Sequence, residues 1–280
     1  MAERRRATAR GPVGLALAEG RDRLAAAGCE SPRLDAELLL GAVLGVERAR
    51  LIMDRHDQLS GPAWAAFQGL LARREAREPV AYILGRRAFR RLDLVVDGRV
   101  LIPRPETELL VEIALGLPTG ARVADVGTGS GAIALALADE RPDLAVIGLD
   151  ISEHALQVAR ANAARLGLEV SFRCADLLDE GSYDAVLANL PYVPEETELA
   201  PEIADYEPAE ALCAGPDGLD VVRRLVTRIA GRAVRPAMLG LEISPEQAPA
   251  TEALIRGAGY ATVQTHADLA GHARVVVGAA

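Results

Sequence analysis

From residue 103 onward, short apolar runs of strand-forming composition alternate with segments of helical spacing, and this alternation constrains the fold more than any other feature of the chain. The runs are Arg122 to Val126, Ala145 to Leu149, Val170 to Cys174, Ala185 to Ala188, Met238 to Ile243 and Arg274 to Val277. A chain that alternates in this way builds a mostly parallel sheet with helices over both faces, because parallel neighbours need a crossover and the crossover helix covers the sheet. An α/β fold is therefore expected for residues 103–280. The residues before it read differently. From residue 12 to about 78 the spacing is helical with no strand alternation: Ser31-Pro32 offers a helix start, Gly45 a stop, and Ser60-Gly61-Pro62 a second start followed by Trp64, Phe67 and Leu71 on one face. Such a stripe serves as core or as a surface for a partner, and core is the ordinary role of one helical face. Between 86 and 102 the period becomes two, with Leu92, Leu94 and Val96 before Asp97-Gly98 and Val100 and Ile102 after it, which predicts a β-hairpin turning at Asp97-Gly98. The expected organisation is a small helical bundle over 1–85, a β-hairpin linker over 86–102 and the α/β domain over 103–280.

Charge narrows the function classes. A formal net charge of -9 over 280 residues disfavours a protein devoted to gripping nucleic-acid backbone, which requires a positive surface to displace counterions. All the basic side chains are Arg, a compositional bias that says little about function. Cys29, Cys174 and Cys213 are odd in number and form no CxxC pair, so neither a disulfide framework nor a zinc site is expected, and the compartment reads as reducing and cytoplasmic. No apolar run reaches the roughly 18 residues of a membrane helix, and the Arg-rich start reads as a frayed tail rather than a targeting peptide.

The chemistry concentrates at two strand ends. The run Arg122 to Val126 leads directly into Gly127-Thr128-Gly129-Ser130-Gly131, and helical spacing resumes at Ala132. Glycines there let backbone approach a ligand and turn sharply onto a helix N-terminus. Nineteen residues past Gly131 stands Asp150, placed to accept both hydroxyl hydrogens of a ribose. Gly127, Gly129 and Ala132 also satisfy a dinucleotide fingerprint, so NAD competes as the ligand. Three features shift the balance toward S-adenosylmethionine. The loop is a denser G-x-G-x-G, Asp176 follows the third strand, and Asp125 precedes the loop, where an acid faces an ammonium group and repels a pyrophosphate. The bland readings are a glycine turn required for packing, a helix-flanking Asp150 ahead of a Ser152 cap, and a solvated Asp176.

The fourth run ends in Asn189-Leu190-Pro191-Tyr192. The carboxyl ends of strands carry the ligand in such folds, so Asn189 should emerge beside the glycine loop. A planar amide or amino nitrogen needs both its N–H hydrogens held by acceptors before its lone pair can be directed at a methyl donor. The Asn189 side-chain carbonyl and the Leu190 main-chain carbonyl supply two acceptors, and Tyr192 an aromatic wall. Neither metal nor covalent nucleophile is required, since alignment and charge placement suffice for an activated donor.

This tetrapeptide resembles the N-P-P-Y motif of amino- and amide-nitrogen methyltransferases. Leu101-Ile102-Pro103-Arg104-Pro105-Glu106-Thr107-Glu108 resembles the segment that marks the PrmC/HemK family, the release-factor glutamine N5-methyltransferases. Glu78-Pro79-Val80-Ala81-Tyr82-Ile83-Leu84-Gly85, Tyr206-Glu207-Pro208 with Ala211-Leu212, and Asp268-Leu269-Ala270-Gly271 before Arg274 extend the likeness, in family order, over nearly the whole chain. The resemblance implies a class I (Rossmann-like) methyltransferase domain with a mostly parallel seven-stranded sheet, S-adenosylmethionine held by Gly127, Thr128, Gly129, Ser130, Gly131, Asp150, Leu177 and Asn189, and catalysis by Asn189, Leu190, Pro191 and Tyr192. It implies that a peptide-chain release factor is the partner, with the glutamine of its Gly-Gly-Gln tip as substrate, that nucleic acid and membrane are not bound, and that the chain acts as a monomer whose helical domain docks the substrate. Arg104 and Glu106 would shape the pocket wall or merely start a helix at Pro105. His272 stands where the family carries charged residues and reads as surface. One departure is Leu190, where the family has Pro: losing the ring should loosen the loop by about 0.4–1 kcal/mol of chain entropy. The alternatives are a DNA or RNA amino-methyltransferase, which needs a basic groove, and a nucleotide-binding module without activity.

Overall fold

A computed structural model of the chain describes residues 9–280, so the first part of the Arg-rich start lies outside the described residues. These residues form two compact units, one made of the chain up to Gly85 together with Ala200–Tyr206, the other of Arg86–Leu199 and Glu207–Ala280.

In the first unit, helices α1 (Val13–Ala26), α2 (Pro32–Leu44), α3 (Arg48–Met53), α4 (Gly61–Glu75) and α5 (Val80–Leu84) enclose a core in which Phe67 and Leu71 of α4 meet Leu24, Leu39 and Leu40. Trp64 packs against that core from a half-buried position. Gly45 ends α2 in the left-handed conformation, and the Ser60 hydroxyl accepts from Ala63 N–H at the head of α4, whereas Ser31 makes no such bond. The sequence reads as strand-free here, and the structure corrects it: β1 (Ala9–Pro12) pairs antiparallel with β2 (Gln58–Ser60). Strands of three or four residues are too short to display a period. The polar centre of the unit is Arg74, almost fully buried, which donates to Asp35 and Glu202 at 2.8 Å each. Burial works to raise the Glu202 carboxyl, yet the guanidiniums of Arg77 and Arg74 outweigh it and hold it down at about 2.

The second unit opens with a hairpin of β3 (Arg86–Phe89) and β4 (Leu92–Val95), paired Phe89 to Leu92. Its turn is Arg90-Arg91, not Asp97-Gly98. Arg90 sits at φ 51°, its N–H donates to the Glu108 carboxylate, and its guanidinium is held by Glu140 and Glu112. Side-chain anchoring rather than turn composition therefore selects this turn, while Asp97 closes a separate turn with Val100 after which no strand forms.

Helix α6 (Glu108–Ala114) then precedes the main sheet, whose strands are β5 (Arg122–Val126), β6 (Ala145–Asp150), β7 (Ser171–Cys174), β8 (Ala185–Ala188), β9 (Met238–Glu242), β10 (Thr262–Ala267) and β11 (Ala273–Ala279). Their order is β10-β11-β9-β8-β5-β6-β7, with β11 antiparallel to its two neighbours and the remaining pairs parallel. Six strands coincide to within a residue or two with the apolar runs. The seventh, β10, is a mostly exposed edge strand of sequence TVQTHA, which has no apolar face to reveal it. Successive strand residues serve opposite faces: Val186 joins Leu225 and Ile229 of α7 (Asp220–Ala230) and Ile255 of α8 (Ala248–Gly257), while Leu187 joins Leu110 of α6 and Leu135 of the helix that follows β5. Chain order reverses at β5. From it the chain steps to β6 and β7 on one side and then returns to β8 on the other, which makes the β5/β8 edge a topological switch point where ligands settle.

Candidate active site

Three loops leave the same edge of the sheet, since Val126 pairs with both Leu149 and Ala188. They carry residues 127–131, 150–152 and 189–192, and they border a cavity of about 300 Å³ whose lining includes Gly127 through Ser130, Asp150, Leu177 and Asn189 through Pro191. Arg104, Thr107 and Asp176 line it as well.

The glycine loop is tied to β6 at its start, where Gly127 and Thr128 N–H both donate to Leu149 C=O at 2.8 and 3.0 Å. Gly127, Gly129 and Gly131 all adopt positive φ, and nothing stands within 4 Å of where a Cβ on Gly129 would sit. The loop ends at Gly131, the N-cap of helix Ala132–Glu140. Asp125 does not face the cavity as expected. It is fully buried beneath the loop, where one carboxylate oxygen accepts from the Thr128 hydroxyl at 2.6 Å and from Ala134 N–H at 3.1 Å, so it caps the helix and holds the turn. Asn162, buried on the helix after β6, braces the loop by donating to Ser130 C=O and exchanging two bonds with the Val95 backbone. Sequence reasoning missed Asn162, because nothing local distinguishes it from an ordinary helix position.

Asp150 accepts from Gly129 N–H through one oxygen and from Ser152 N–H through the other, each at 2.9 Å, while Ser152 caps the following helix through Ala155 N–H. Helix-flanking acid and ligand acceptor are thus compatible roles, since each oxygen keeps a second acceptor position for a ribose hydroxyl. Burial raises the Asp150 pKa. Leu177 lines the cavity at φ 64°, a conformation costly for a branched side chain and found where a site demands it. Asp176 is exposed and bound by Arg224 at 2.8 and 2.6 Å.

Asn189 Nδ2 donates to Thr107 Oγ1 at 2.9 Å, which leaves Oδ1 available to the cavity. Leu190 adds packing that the expectation of a looser loop left out of account. Its side chain is buried in the sheet core, and its Cδ2 lies 3.1 Å from where a Gly127 Cβ would be, so it packs against the glycine turn. Tyr192 is not among the residues lining the cavity. Its hydroxyl lies 3.5 Å from Glu242 Oε1, its main-chain carbonyl accepts from Gln247 Nε2 at 2.8 Å, and burial followed by the Glu242 charge pushes its pKa up to about 12. Arg104 pairs with the buried Glu207, whose other oxygen accepts from Ile102 N–H, whereas Glu106 lies 4.0 Å from Arg274 and His272 is exposed near Asp268. Thr107 and Glu242 escaped the sequence reading, as a Thr after a helix-starting Pro and a Glu ending a strand carry no signal by themselves.

Asp125 and Glu242 are both buried carboxyls, and burial pushes each up to about 7 from ordinary values of 3.8 and 4.5. A carboxyl raised on folding holds a proton that the unfolded chain would release. Its contribution to stability is complete below the unfolded value and is lost as pH rises through about 7. Glu242→Gln should therefore gain in Tm relative to the native chain as pH is raised from 4.5 to 8; a Tm difference that does not vary with pH would refute this account.

Residues 16–85 match the PrmC N-terminal domain and residues 118–222 a methyltransferase domain. The release factor glutamine methyltransferase of Caulobacter vibrioides is 42% identical, covering 92% of this chain and 93% of its own, and that of Mycolicibacterium smegmatis is 44% identical, covering 90% and 92%. Among solved structures, a methyltransferase from Pyrococcus furiosus shares the fold at 16% identity and a TM-score of 0.51, covering 76% of this chain and 96% of its own. The cavity fits S-adenosylmethionine, with a free acceptor position on each Asp150 oxygen and a glycine turn that leaves the space beside Gly129 open. With whole-length likeness at this level, the chain belongs to the release factor glutamine methyltransferase family and is a methyltransferase dependent on S-adenosylmethionine.

Proposed function

We propose that the chain methylates the side-chain amide nitrogen, N5, of the glutamine in the Gly-Gly-Gln tip of peptide-chain release factors. The observation that carries this reading is the Asn189 carboxamide, which borders the same cavity as the glycine turn with its Nδ2 already engaged by Thr107. Two oxygens, Asn189 Oδ1 and the Leu190 carbonyl, then accept the two N–H hydrogens of a substrate amide. Holding both in plane directs the nitrogen's delocalised electron pair out of that plane, and the positive charge that develops on the nitrogen strengthens both hydrogen bonds. Bound S-adenosylmethionine supplies a methyl group already activated by its sulfonium. Gly127 through Gly131 and Asp150 hold that cofactor, Leu177 borders it, and Asn189, Leu190 and Pro191 form the substrate side, with Tyr192 behind them and out of the cavity lining.

The names of the relatives support a release factor as the partner, and the acidic balance weighs against nucleic acid. No helix of the described residues is long and apolar enough to cross a membrane; action in the cytoplasm as a monomer completes the proposal. Mass spectrometry of a release factor co-expressed with the chain should show one added methyl on that glutamine, and an unmodified glutamine beside a methylated nucleic acid would replace this reading by the rival one. The helical unit over 1–85 is proposed as the docking surface, so KM for intact release factor should lie at least about tenfold below that for a Gly-Gly-Gln peptide, since a second contact acts through effective concentration. Equal KM values would remove that role.

Leu190 offers a test of how the loop is held. Removing the buried methyls of a core Leu costs about 2–5 kcal/mol, several times the roughly 0.4–1 kcal/mol that a proline ring returns through chain entropy. Leu190→Pro should lower Tm and leave single-turnover transfer no faster than in the native chain. A faster variant would show that the ring matters more than the packing.

A further inference from the structure

Behind the loop of residues 189–192 stands a side-chain amide that the proposed reaction does not itself use. Gln247 is 6% exposed and ends the turn Pro245–Gln247, which joins β9 to α8. Its Nε2 donates to Tyr192 C=O at 2.8 Å and to Asp217 C=O at 3.0 Å, while its Oε1 accepts from Ser244 N–H at 3.1 Å. Both amide hydrogens are therefore engaged by main-chain carbonyls. The peptide that carries the Tyr192 carbonyl also carries the Val193 N–H, which donates to Leu212 C=O at 2.9 Å. One peptide plane is thus held at both poles by segments distant in the chain. Gly218, at φ 73°, lies against this contact so closely that a Cβ there would run into Tyr192 O and Gln247 Nε2.

We propose that Gln247 is a positioning residue which, by fixing the peptide between Tyr192 and Val193, aims the Leu190 carbonyl at the substrate amide. Between the Leu190 and Tyr192 carbonyls lie only φ and ψ of Pro191 and of Tyr192, and the proline ring fixes the first of these. At the near end, the Leu190 side chain is buried against the Gly127 turn. A segment anchored at both ends, with so few rotations between, has little freedom to turn its acceptor away. Without the Gln247 donor, the peptide plane would be free to rotate about its Val193 bond, and the Leu190 carbonyl would follow. This deepens the reading under Proposed function and rests on it, because the aim of that carbonyl matters only if it receives the substrate.

The cofactor side is held by other bonds. Those that anchor the glycine turn and Asp150 run to Leu149, Gly129 and Ser152 and involve neither Gln247 nor Gly218. Loss of the Gln247 donor should therefore fall on the transfer step and spare cofactor affinity.

The test compares the native chain with three variants. Gln247→Met keeps the length of the side chain without its donor, Gly218→Ala pushes on the Tyr192 carbonyl from the opposite side, and Ile255→Val thins the core beneath α8 without removing a hydrogen bond. Single-turnover methylation of a release-factor fragment carrying Gly-Gly-Gln gives the transfer rate, and calorimetry with S-adenosylmethionine gives cofactor affinity and reports the fold. Gln247→Met and Gly218→Ala should each slow transfer by about 10- to 100-fold, the scale on which a misplacement of roughly 1 Å is felt. Cofactor affinity should stay within about threefold of native. The double variant should be little slower than either single one, since both act through one carbonyl. Ile255→Val, although it lowers Tm, should transfer at the native rate. A native rate in Gln247→Met, additive effects in the double variant, cofactor affinity lost in step with rate, or an equally slow Ile255→Val would each overturn the inference alone. A native chain that binds the cofactor and methylates no glutamine fragment would overturn the proposed function together with it.

Discussion

Asn189→Ala should reduce kcat for methyl transfer by roughly 100- to 1,000-fold, the range found when one preorganised hydrogen-bonding group is removed from a polar transition state. The loss falls on kcat because Oδ1 meets the amide N–H most strongly once charge develops on the nitrogen, while the Leu190 carbonyl still grips the ground state. Cofactor affinity should change far less, since the glycine turn and Asp150 are anchored to β6 and to Ser152 rather than to Asn189. Single-turnover methylation of a release-factor fragment and calorimetric titration with S-adenosylmethionine read the two quantities separately. A variant that loses cofactor binding in proportion to rate would move Asn189 from the substrate side to the cofactor side.

Asp150→Ala should have the reverse profile. Its two carboxylate oxygens accept from Gly129 N–H and Ser152 N–H and retain positions for two ribose hydroxyls. Hydrogen bonds to a charged group contribute about 1.5–3 kcal/mol each, so losing the ligand's pair together with the brace on Gly129 should weaken S-adenosylmethionine binding by about 100-fold or more. At saturating cofactor kcat should recover substantially. If affinity falls less than about threefold, the carboxylate serves the loop and the helix cap alone.

The parts of this molecule that were legible in the sequence are those whose cause is local. Strands buried on both faces announce themselves as apolar runs, and a glycine turn followed by an acid at the next strand end is a statement about backbone and ligand that needs no tertiary context. What escaped depends on partners distant in the chain. Strand β10 is held by β11 and has no apolar face of its own. The Arg90-Arg91 turn is selected by Glu108, Glu112 and Glu140, which no rule of turn composition can anticipate. Asp125 was read by its charge as facing a ligand, whereas the Thr128 hydroxyl of the loop and the Ala134 N–H of the helix above it supply two donors at close range. Leu190 was read through backbone entropy alone, and only its burial against the Gly127 turn shows what the side chain contributes.

The shared register of Val126 with Ala188 places the two ligand-bearing loops on adjacent strands, and adjacent strands stand about 4.8 Å apart wherever a ladder is intact. On the proposed reading, the separation between donor and acceptor sides is thereby inherited from the peptide backbone, as the spacing of rungs is inherited from a ladder's rails. Any change that keeps the β5/β8 register intact leaves that gauge untouched, and a change at the two strand ends alters it directly.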